Sequence, residues 1–177
     1  VPELFEELWE LCGKKMSDDV DLRLMDPFYR IRFDDGRTFD YSSEKSENLR
    51  QILDYNPVDA QGYERYLKAS EARHKVGFAL LDKPFSTLAQ LMRFAPDLVR
   101  LRGDQSVYGL VSKYIKNEQL RQAVSFHPLL IGGNPYTASS LYSLISHLEV
   151  TGGVWSAMGG TGRIVESLGN LIRGQGS

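Results

Sequence analysis

This sequence of 177 residues contains few cysteines and histidines, and its positive and negative charges nearly balance. Its one cysteine, Cys12, excludes an internal disulfide, and three scattered histidines offer no spacing typical of a zinc site. Lysine and arginine number 21 against 23 aspartates and glutamates, so the formal net charge is -2. Because nucleic-acid-binding proteins usually carry a strong basic excess, we expect no nucleic-acid partner. A reduced compartment on the cytosolic side is favoured.

A long hydrophobic run is also missing. The sequence has no apolar stretch of about 18 residues or more, so it predicts no membrane-spanning helix. Val1 is neither an initiator methionine nor the start of a basic leader, so we interpret both ends as boundaries of a segment. The length suits one domain with one hydrophobic core.

Alternation of apolar and polar residues predicts strands early in the chain. The period is two over 20–24 and again over 29–33. Asp34-Asp35-Gly36-Arg37 supplies turn residues that tolerate positive φ, so 38–41 is predicted to run back as the second arm of a β-hairpin. A short late strand over 154–158 is a candidate for returning to the same sheet.

Helical spacing of apolar residues prevails elsewhere. Pro57 suits the first position of a long helix that ends before Lys83-Pro84, and Thr137 is the predicted N-cap of a late helix. Further helices are predicted over 4–12, 43–53, 86–94, 96–101, 107–115, 118–125 and 164–172. The resulting fold class is α+β, an antiparallel β-hairpin sheet with a larger helical layer.

Two features suggest chemistry but have simpler structural interpretations. Gly159-Gly160-Thr161-Gly162 lies between a strand and a helix, where backbone N–H groups can bind phosphate. Its spacing lacks the third glycine of a dinucleotide fingerprint, so a tight turn is favoured. His127 has apolar neighbours and no serine and carboxylate pattern around it, so a hydrogen-bonded structural histidine is favoured over a general base.

Apolar and basic residues are interleaved over 84–116. Such a surface can rest in a lipid headgroup region, with its arginines towards phosphate. An ordinary pair of amphipathic helices packed on their own core has the same periodicity, so both interpretations stay open. The membrane-facing candidates are Phe85, Leu88, Met92, Arg93 and Arg100.

Short motifs occur in a characteristic order along nearly the whole chain. They are Asp26-Pro27-Phe28-Tyr29-Arg30, Asn56-Pro57, Gly62-Tyr63, Lys113-Tyr114-Ile115, Leu120 to His127, Leu129 to Pro135, Ser139-Ser140-Leu141-Tyr142, Gly152-Gly153-Val154-Trp155 and Gly159-Gly160-Thr161. In this order the sequence resembles the bacterial phytoene desaturases. The combination is far more specific than any one glycine pair.

The resemblance implies an FAD-dependent, amine-oxidase-like flavoprotein that introduces double bonds into a linear carotenoid precursor. It implies a cytoplasmic protein attached peripherally to a membrane. In that family the flavin-binding portions lie before Val1 and beyond Ser177, so 1–177 is expected to be the substrate-binding middle segment. Alone, this segment is expected to hold no FAD and to be inactive.

The resemblance also implies roles for particular residues. Glu118 and Arg121 are the catalytic candidates, although an i, i+3 ion pair on a solvated helix face is an equally simple interpretation. At Asn117 the family frequently has an acidic residue, so an acid–base role is not expected there. Trp155, Gly159 and Gly160 are expected near the flavin, and no metal is expected. The residues expected to contact the polyene are Phe126, Leu130, Tyr136 and Tyr142.

Two other functions remain open from the sequence. One is a related flavoprotein with different chemistry, such as a carotenoid or retinoid isomerase, a saturase or a ketolase-like enzyme. The other is a non-catalytic helical interaction module without a cofactor. A compact monomer with no apolar cleft would favour the module.

Overall fold

The computed structural model of the chain describes residues 2–81, 96 and 99–175. The predicted helix over 86–94 lies outside these residues. The described helices and strands are α1 (Pro2–Leu11), β1 (Leu22–Leu24), β2 (Tyr29–Arg32), β3 (Thr38–Tyr41), α2 (Lys45–Tyr55), α3 (Val58–Leu81), α4 (Val107–Val111), α5 (Glu118–Ser125), α6 (Leu144–Gly152), β4 (Trp155–Ala157) and α7 (Thr161–Arg173). Single 3-10 turns cover Met16–Asp18, His127–Ile131 and Ser140–Ser143. The described architecture is α+β, as predicted.

The predicted β-hairpin is confirmed. β2 and β3 are antiparallel, with Ile31 opposite Phe39, and Gly36 adopts a φ of 85° in the turn between them. Alternation puts Phe39 on the inner face, where its side chain is fully buried. On the outer face Arg30 and Asp40 form an ion pair with Nε and Oδ1 2.6 Å apart.

The late strand β4 does not return to the hairpin sheet, as the sequence had suggested it could. β4 runs antiparallel to β1, with Leu22 opposite Ala157 and Leu24 opposite Trp155. This β1–β4 ribbon is separate from the hairpin. Pro27 has no N–H to donate and the chain bends between β1 and β2, so β4 instead satisfies the backbone groups of β1.

Among the described residues, buried apolar side chains form two clusters rather than the one core expected from the length. The larger cluster joins the hairpin to α2, α3, α4 and α5, and its biggest side chains are Phe39, Tyr41, Tyr63 and Tyr66. The smaller one joins α1 to the ribbon and α7. At its centre Trp9 is fully buried and donates from Nε1 to Asp19 Oδ2 at 2.8 Å.

Two helix predictions need correction. The late helix α6 begins at Leu144 after a 3-10 turn, and the side chain of Ser139, rather than that of Thr137, caps that turn. Ser139 is held by a β-bridge to Ser106, which fixes where the turn begins. The helix predicted over 107–115 is shorter than expected, since α4 ends at Val111.

Helix α3 approaches the backbone after α4 very closely at Gly62. A Cβ added at this glycine would lie 2.0 Å from the carbonyl oxygen of Tyr114. We expect Gly62→Ala to lower the free energy of unfolding by about 2 kcal/mol or more, because α3 must shift away from Tyr114. Urea unfolding measures this loss.

Gly169→Ala in α7 is the matched control. A Cβ there meets nothing closer than the Arg173 guanidinium at 3.6 Å. The higher helix propensity of alanine should then raise stability by up to about 1 kcal/mol. Equal effects of the two substitutions would contradict the close approach at Gly62.

Candidate functional site

Two apolar clefts lie on either side of the turn that follows α5. The first, here called the turn cleft, has a volume of about 500 Å³ and is lined mainly by Gln122, Phe126, Leu129, Asn134, Pro135 and Tyr136. The second, the ribbon cleft, has a volume of about 400 Å³ and is lined mainly by Phe5, Leu22, Leu148, Glu149, Trp155 and Ile164. Both are large enough to receive part of an apolar ligand.

The turn cleft is shaped by a reversal of the chain after α5. The 3-10 turn His127–Ile131 ends at Gly132, whose φ of 73° is a conformation that glycine adopts without strain. The N–H of Gly133 then donates to the Pro128 carbonyl at 2.8 Å. This reversal brings Phe126 and Tyr136 to the same cleft.

Not all the residues predicted to contact the substrate meet there. Phe126 and Tyr136 line the turn cleft. Leu130 is 51% exposed in the adjoining turn and Tyr142 is 40% exposed, and neither lines this cleft. Leu129, which the sequence analysis did not single out, does line it.

Glu118 and Arg121 do not line the turn cleft themselves, but Glu118 contacts residues that lead to it. Their ion pair joins Glu118 Oε2 and Arg121 Nη1 across 3.5 Å, and Glu118 is 54% exposed. Gln122 donates to Glu118 Oε1 at 3.3 Å, and the Tyr108 hydroxyl lies 2.7 Å from both carboxylate oxygens. The Tyr108 ring stacks at 4.5 Å on Tyr136. The solvated ion pair is therefore present, together with two contacts that lead to the cleft.

A buried carboxylate positions the start of α5. Asp59 is fully buried and accepts hydrogen bonds from the N–H groups of Lys116 at 2.7 Å and Asn117 at 2.8 Å. Asn117 in turn caps α5 by accepting from the Leu120 N–H at 3.1 Å. The sequence analysis missed Asp59, since an aspartate just after Pro57 is typical of any helix start.

A second buried polar group lies between the two clefts. His127 is fully buried, and its Nε2 lies 2.7 Å from Oε2 of Glu149, whose side chain is 8% exposed. On the other ring nitrogen, Nδ1 is 3.4 Å from the Ser146 hydroxyl, which shares a 2.8 Å hydrogen bond with the hydroxyl of Tyr66. This arrangement agrees with the favoured interpretation of His127, but the sequence analysis missed its partner Glu149.

Tyrosine hydroxyls surround this pair. Burial, with the Glu149 carboxylate adding to it, raises the pKa of Tyr29 to about 12. Burial also raises the pKa of Tyr63 to about 12 and that of Tyr41 well above its ordinary value. The three hydroxyls therefore stay protonated near neutral pH and present hydrogen-bond donors rather than further negative charge.

Of the residues predicted near a cofactor, Trp155 lines the ribbon cleft, whereas Gly159 and Gly160 do not. Trp155 is held by a 2.8 Å hydrogen bond from Nε1 to the Gly152 carbonyl. Gly159 and Gly160, with φ values of 86° and 85°, form the tight turn between β4 and α7. No side chain caps the N-terminus of α7. Thr161, the first residue of that helix, also lines the cleft.

The predicted membrane surface can be located only in part. Phe85, Leu88, Met92 and Arg93 lie outside the described residues, and Arg100 is exposed. None of the described helices is long and apolar enough to cross a membrane. Within 2–81, 96 and 99–175, no group of three or more histidine, cysteine and acidic side chains is placed to hold a metal ion.

Comparison with known proteins identifies the family. Residues 4–176 match the family described as flavin containing amine oxidoreductase, and the chain belongs to it. Among its relatives is a lycopene-forming phytoene desaturase of Pseudescherichia vulneris, 44% identical over 97% of this chain and 35% of the relative. The lycopene-forming phytoene desaturase of Pantoea ananas is 42% identical over 99% of this chain and 36% of its own length. A neurosporene-forming phytoene desaturase of Cereibacter sphaeroides is 38% identical over 99% and 34%.

The chain thus spans about a third of the length of these relatives. For the flavin that the family name implies, the described residues offer an apolar wall at Trp155 and an uncapped helix start after Gly160. They offer no glycine-rich dinucleotide fingerprint between a strand and a helix. The described residues therefore fit one edge of a flavin site.

The two backbone N–H hydrogen bonds to Asp59 give a test of how α5 is positioned. Asp59→Asn replaces one acceptor oxygen with a donor that faces a backbone N–H, leaving a buried donor unsatisfied. We expect the free energy of unfolding to fall by about 1 to 3 kcal/mol.

Asp54→Asn is the control, since that side chain is 70% exposed and its nearest ion pair, to Arg50, spans 3.6 Å. It should change stability by no more than about 0.5 kcal/mol. Thermal unfolding of both variants checks the difference. A fully stable Asp59→Asn would show that α5 does not depend on this carboxylate.

Proposed function

We propose that this chain forms part of the polyene-binding wall of a phytoene desaturase, a flavoprotein that introduces double bonds into a linear carotenoid precursor. The observation that carries the proposal is an apolar cleft of about 500 Å³ in a chain 42% and 44% identical to two lycopene-forming phytoene desaturases. The proposal concerns the full-length protein, of which this chain covers about a third by comparison with its relatives.

The chemistry of such a substrate suits the turn cleft. A hydrocarbon offers no hydrogen-bonding group, so its affinity must come from removing apolar surface from water. Phe126, Leu129 and Pro135 supply such surface, and the polar Gln122 and Asn134 lie in the same lining. A long polyene exceeds either cleft, so we propose that the turn cleft holds one stretch of it.

Glu118 and Arg121 remain proposed catalytic groups at the edge of this cleft. Arg121 is fixed by a 2.8 Å hydrogen bond from its Nε to the Ile115 carbonyl. This pair would act on a bound polyene through Gln122 and Tyr108, because the side chains of both contact Glu118.

FAD is the proposed cofactor of the full-length protein. Portions outside 1–177 are proposed to hold most of it, with Trp155 and the turn at Gly159 and Gly160 near one edge. The relatives are phytoene desaturases, which favours desaturation over isomerisation, saturation or ketolation. Membership of a flavin-containing family favours an enzyme over a helical interaction module.

Leu129 and Ile131 provide a matched test of the turn cleft. They belong to the same 3-10 turn and are 59% and 58% exposed, but only Leu129 lines the cleft. In the full-length enzyme we expect Leu129→Asn to remove about 1 to 2 kcal/mol of apolar contact with the polyene. This lowers kcat/KM for phytoene by roughly 5- to 30-fold.

Ile131→Asn should leave kcat/KM within a factor of about two, since Ile131 does not line the cleft. Product analysis with phytoene and FAD makes the measurement. Equal losses in the two variants, or none in either, would remove the turn cleft from the proposed substrate site.

Peripheral membrane attachment in the cytoplasm is a second part of the proposal. It is supported by the interleaved apolar and basic residues over 84–116, of which Arg100 is exposed. Each arginine near an anionic bilayer contributes about 1 kcal/mol of attraction. Arg93→Glu/Arg100→Glu in the full-length protein should therefore reduce flotation with anionic liposomes several-fold at low salt.

Arg50→Glu/Arg163→Glu makes the same change of charge on α2 and α7, at side chains that are 63% and 48% exposed. It should reduce flotation far less, because attraction to the bilayer falls off within about 10 Å. Equal flotation of the two double variants would contradict a membrane surface at Arg93 and Arg100.

A further inference from the structure

The ribbon cleft contains one carboxylate in an otherwise uncharged wall. Of the described residues that line it, Glu149 alone is charged, and it lies among Leu148, Trp155 and Ile164. Its side chain is 8% exposed, so water has little access to the carboxylate. An apolar wall lowers the local dielectric, which strengthens any interaction of this carboxylate with positive charge.

A fully buried histidine holds the Glu149 carboxylate in place. Oε2 of Glu149 lies 2.7 Å from Nε2 of His127. The ring is fixed in turn by Phe126, whose centroid is 4.6 Å away, and by Tyr41 at 5.8 Å. A hydrogen-bonded partner of this kind orients a carboxylate.

We propose that Glu149 is the proton acceptor of the desaturation and that the ribbon cleft holds the reacting carbons of the polyene. The inference rests on the proposed function. The flavin of the full-length protein would supply the oxidant, so one carbon would give up a hydrogen with its bonding electron pair and be left with a positive charge. The neighbouring carbon loses a proton to the Glu149 carboxylate. The electron pair of that C–H bond becomes the second bond between the two carbons.

The position of Glu149 suits this step in two ways. Trp155, expected near the flavin from the sequence, lines the same cleft, so the acceptors of hydride and proton would lie at one place. Glu118, the acidic candidate from the sequence, is 54% exposed and does not line the turn cleft. Water competes for a carboxylate in that position, whereas Glu149 is only 8% exposed.

The first test uses the full-length enzyme with FAD and phytoene. Glu149→Gln keeps the shape of the side chain and a hydrogen-bonding oxygen for His127 but cannot accept the proton. We expect kcat to fall at least about 100-fold with KM nearly unchanged. Glu166→Gln, on the exposed face of α7 where the carboxylate is 60% exposed, should leave kcat unchanged.

The second test needs neither flavin nor turnover. Octylammonium and octan-1-ol have the same apolar tail and differ in one positive charge. Flavin-free full-length protein should bind octylammonium at least about tenfold more tightly, because the buried carboxylate pairs with the ammonium. Glu149→Gln should abolish this preference, and Glu166→Gln should retain it. Calorimetric titration measures both affinities.

The outcomes separate this inference from the proposed function. Wild-type enzyme that forms no product from phytoene contradicts the proposed function, whatever the ammonium titration gives. Product formation by wild type and Glu149→Gln at equal rates overturns the inference and leaves the proposed function standing.

If Glu149→Gln folds poorly, Glu149→Asp serves as the second variant. The aspartate keeps the charge but retracts it by one methylene towards the backbone of α6, so its kcat should lie well below wild type while the ammonium preference persists. An aspartate variant that has wild-type kcat, or that lacks the preference, overturns the inference.

Discussion

The pairing of His127 with Glu149 is the constraint on which the candidate site depends. An imidazole and a carboxylate removed from water must satisfy each other, because an uncompensated buried charge costs several kcal/mol. The 2.7 Å contact joins the turn after α5 to α6. Helix α3 holds α6 from the other side, where Ser70 Oγ accepts from the His147 N–H at 3.1 Å and donates to the Ser143 carbonyl. Both clefts take their shape from this arrangement.

A row of three side chains connects the two clefts. Phe126 faces the turn cleft and stacks on His127, and Glu149, on the other side of His127, lines the ribbon cleft. Apolar surface for a hydrocarbon and a single oriented carboxylate therefore lie close together. This combination suits oxidation of an unfunctionalised carbon chain, where binding has to be apolar and proton removal needs one placed acceptor. Membership of the flavin-containing family is consistent with the same chemistry.

Predictions succeeded where the structure is local. The hairpin follows from period-two alternation and a turn whose Gly36 adopts positive φ, all within 29–41. The α3 helix follows from Pro57 and continuous helical spacing. Predictions went wrong where distant contacts decide. The partner of β4 is β1, more than a hundred residues earlier, and the start of α6 depends on the bridge between Ser106 and Ser139. Propensity and periodicity carry no information about such pairings.

The sequence by itself determined the helices and hairpin, the order of motifs and, through these, the family. It also indicated Phe126 and Tyr136, which the structure brings to one cleft. Only the tertiary structure decided that His127 pairs with Glu149, 22 residues away, and that Asp59 accepts from the backbone at Lys116, 57 residues away. An isolated glutamate on a helix resembles any solvated charge. Packing selects which carboxylates are buried, and burial then requires a partner wherever the fold supplies one.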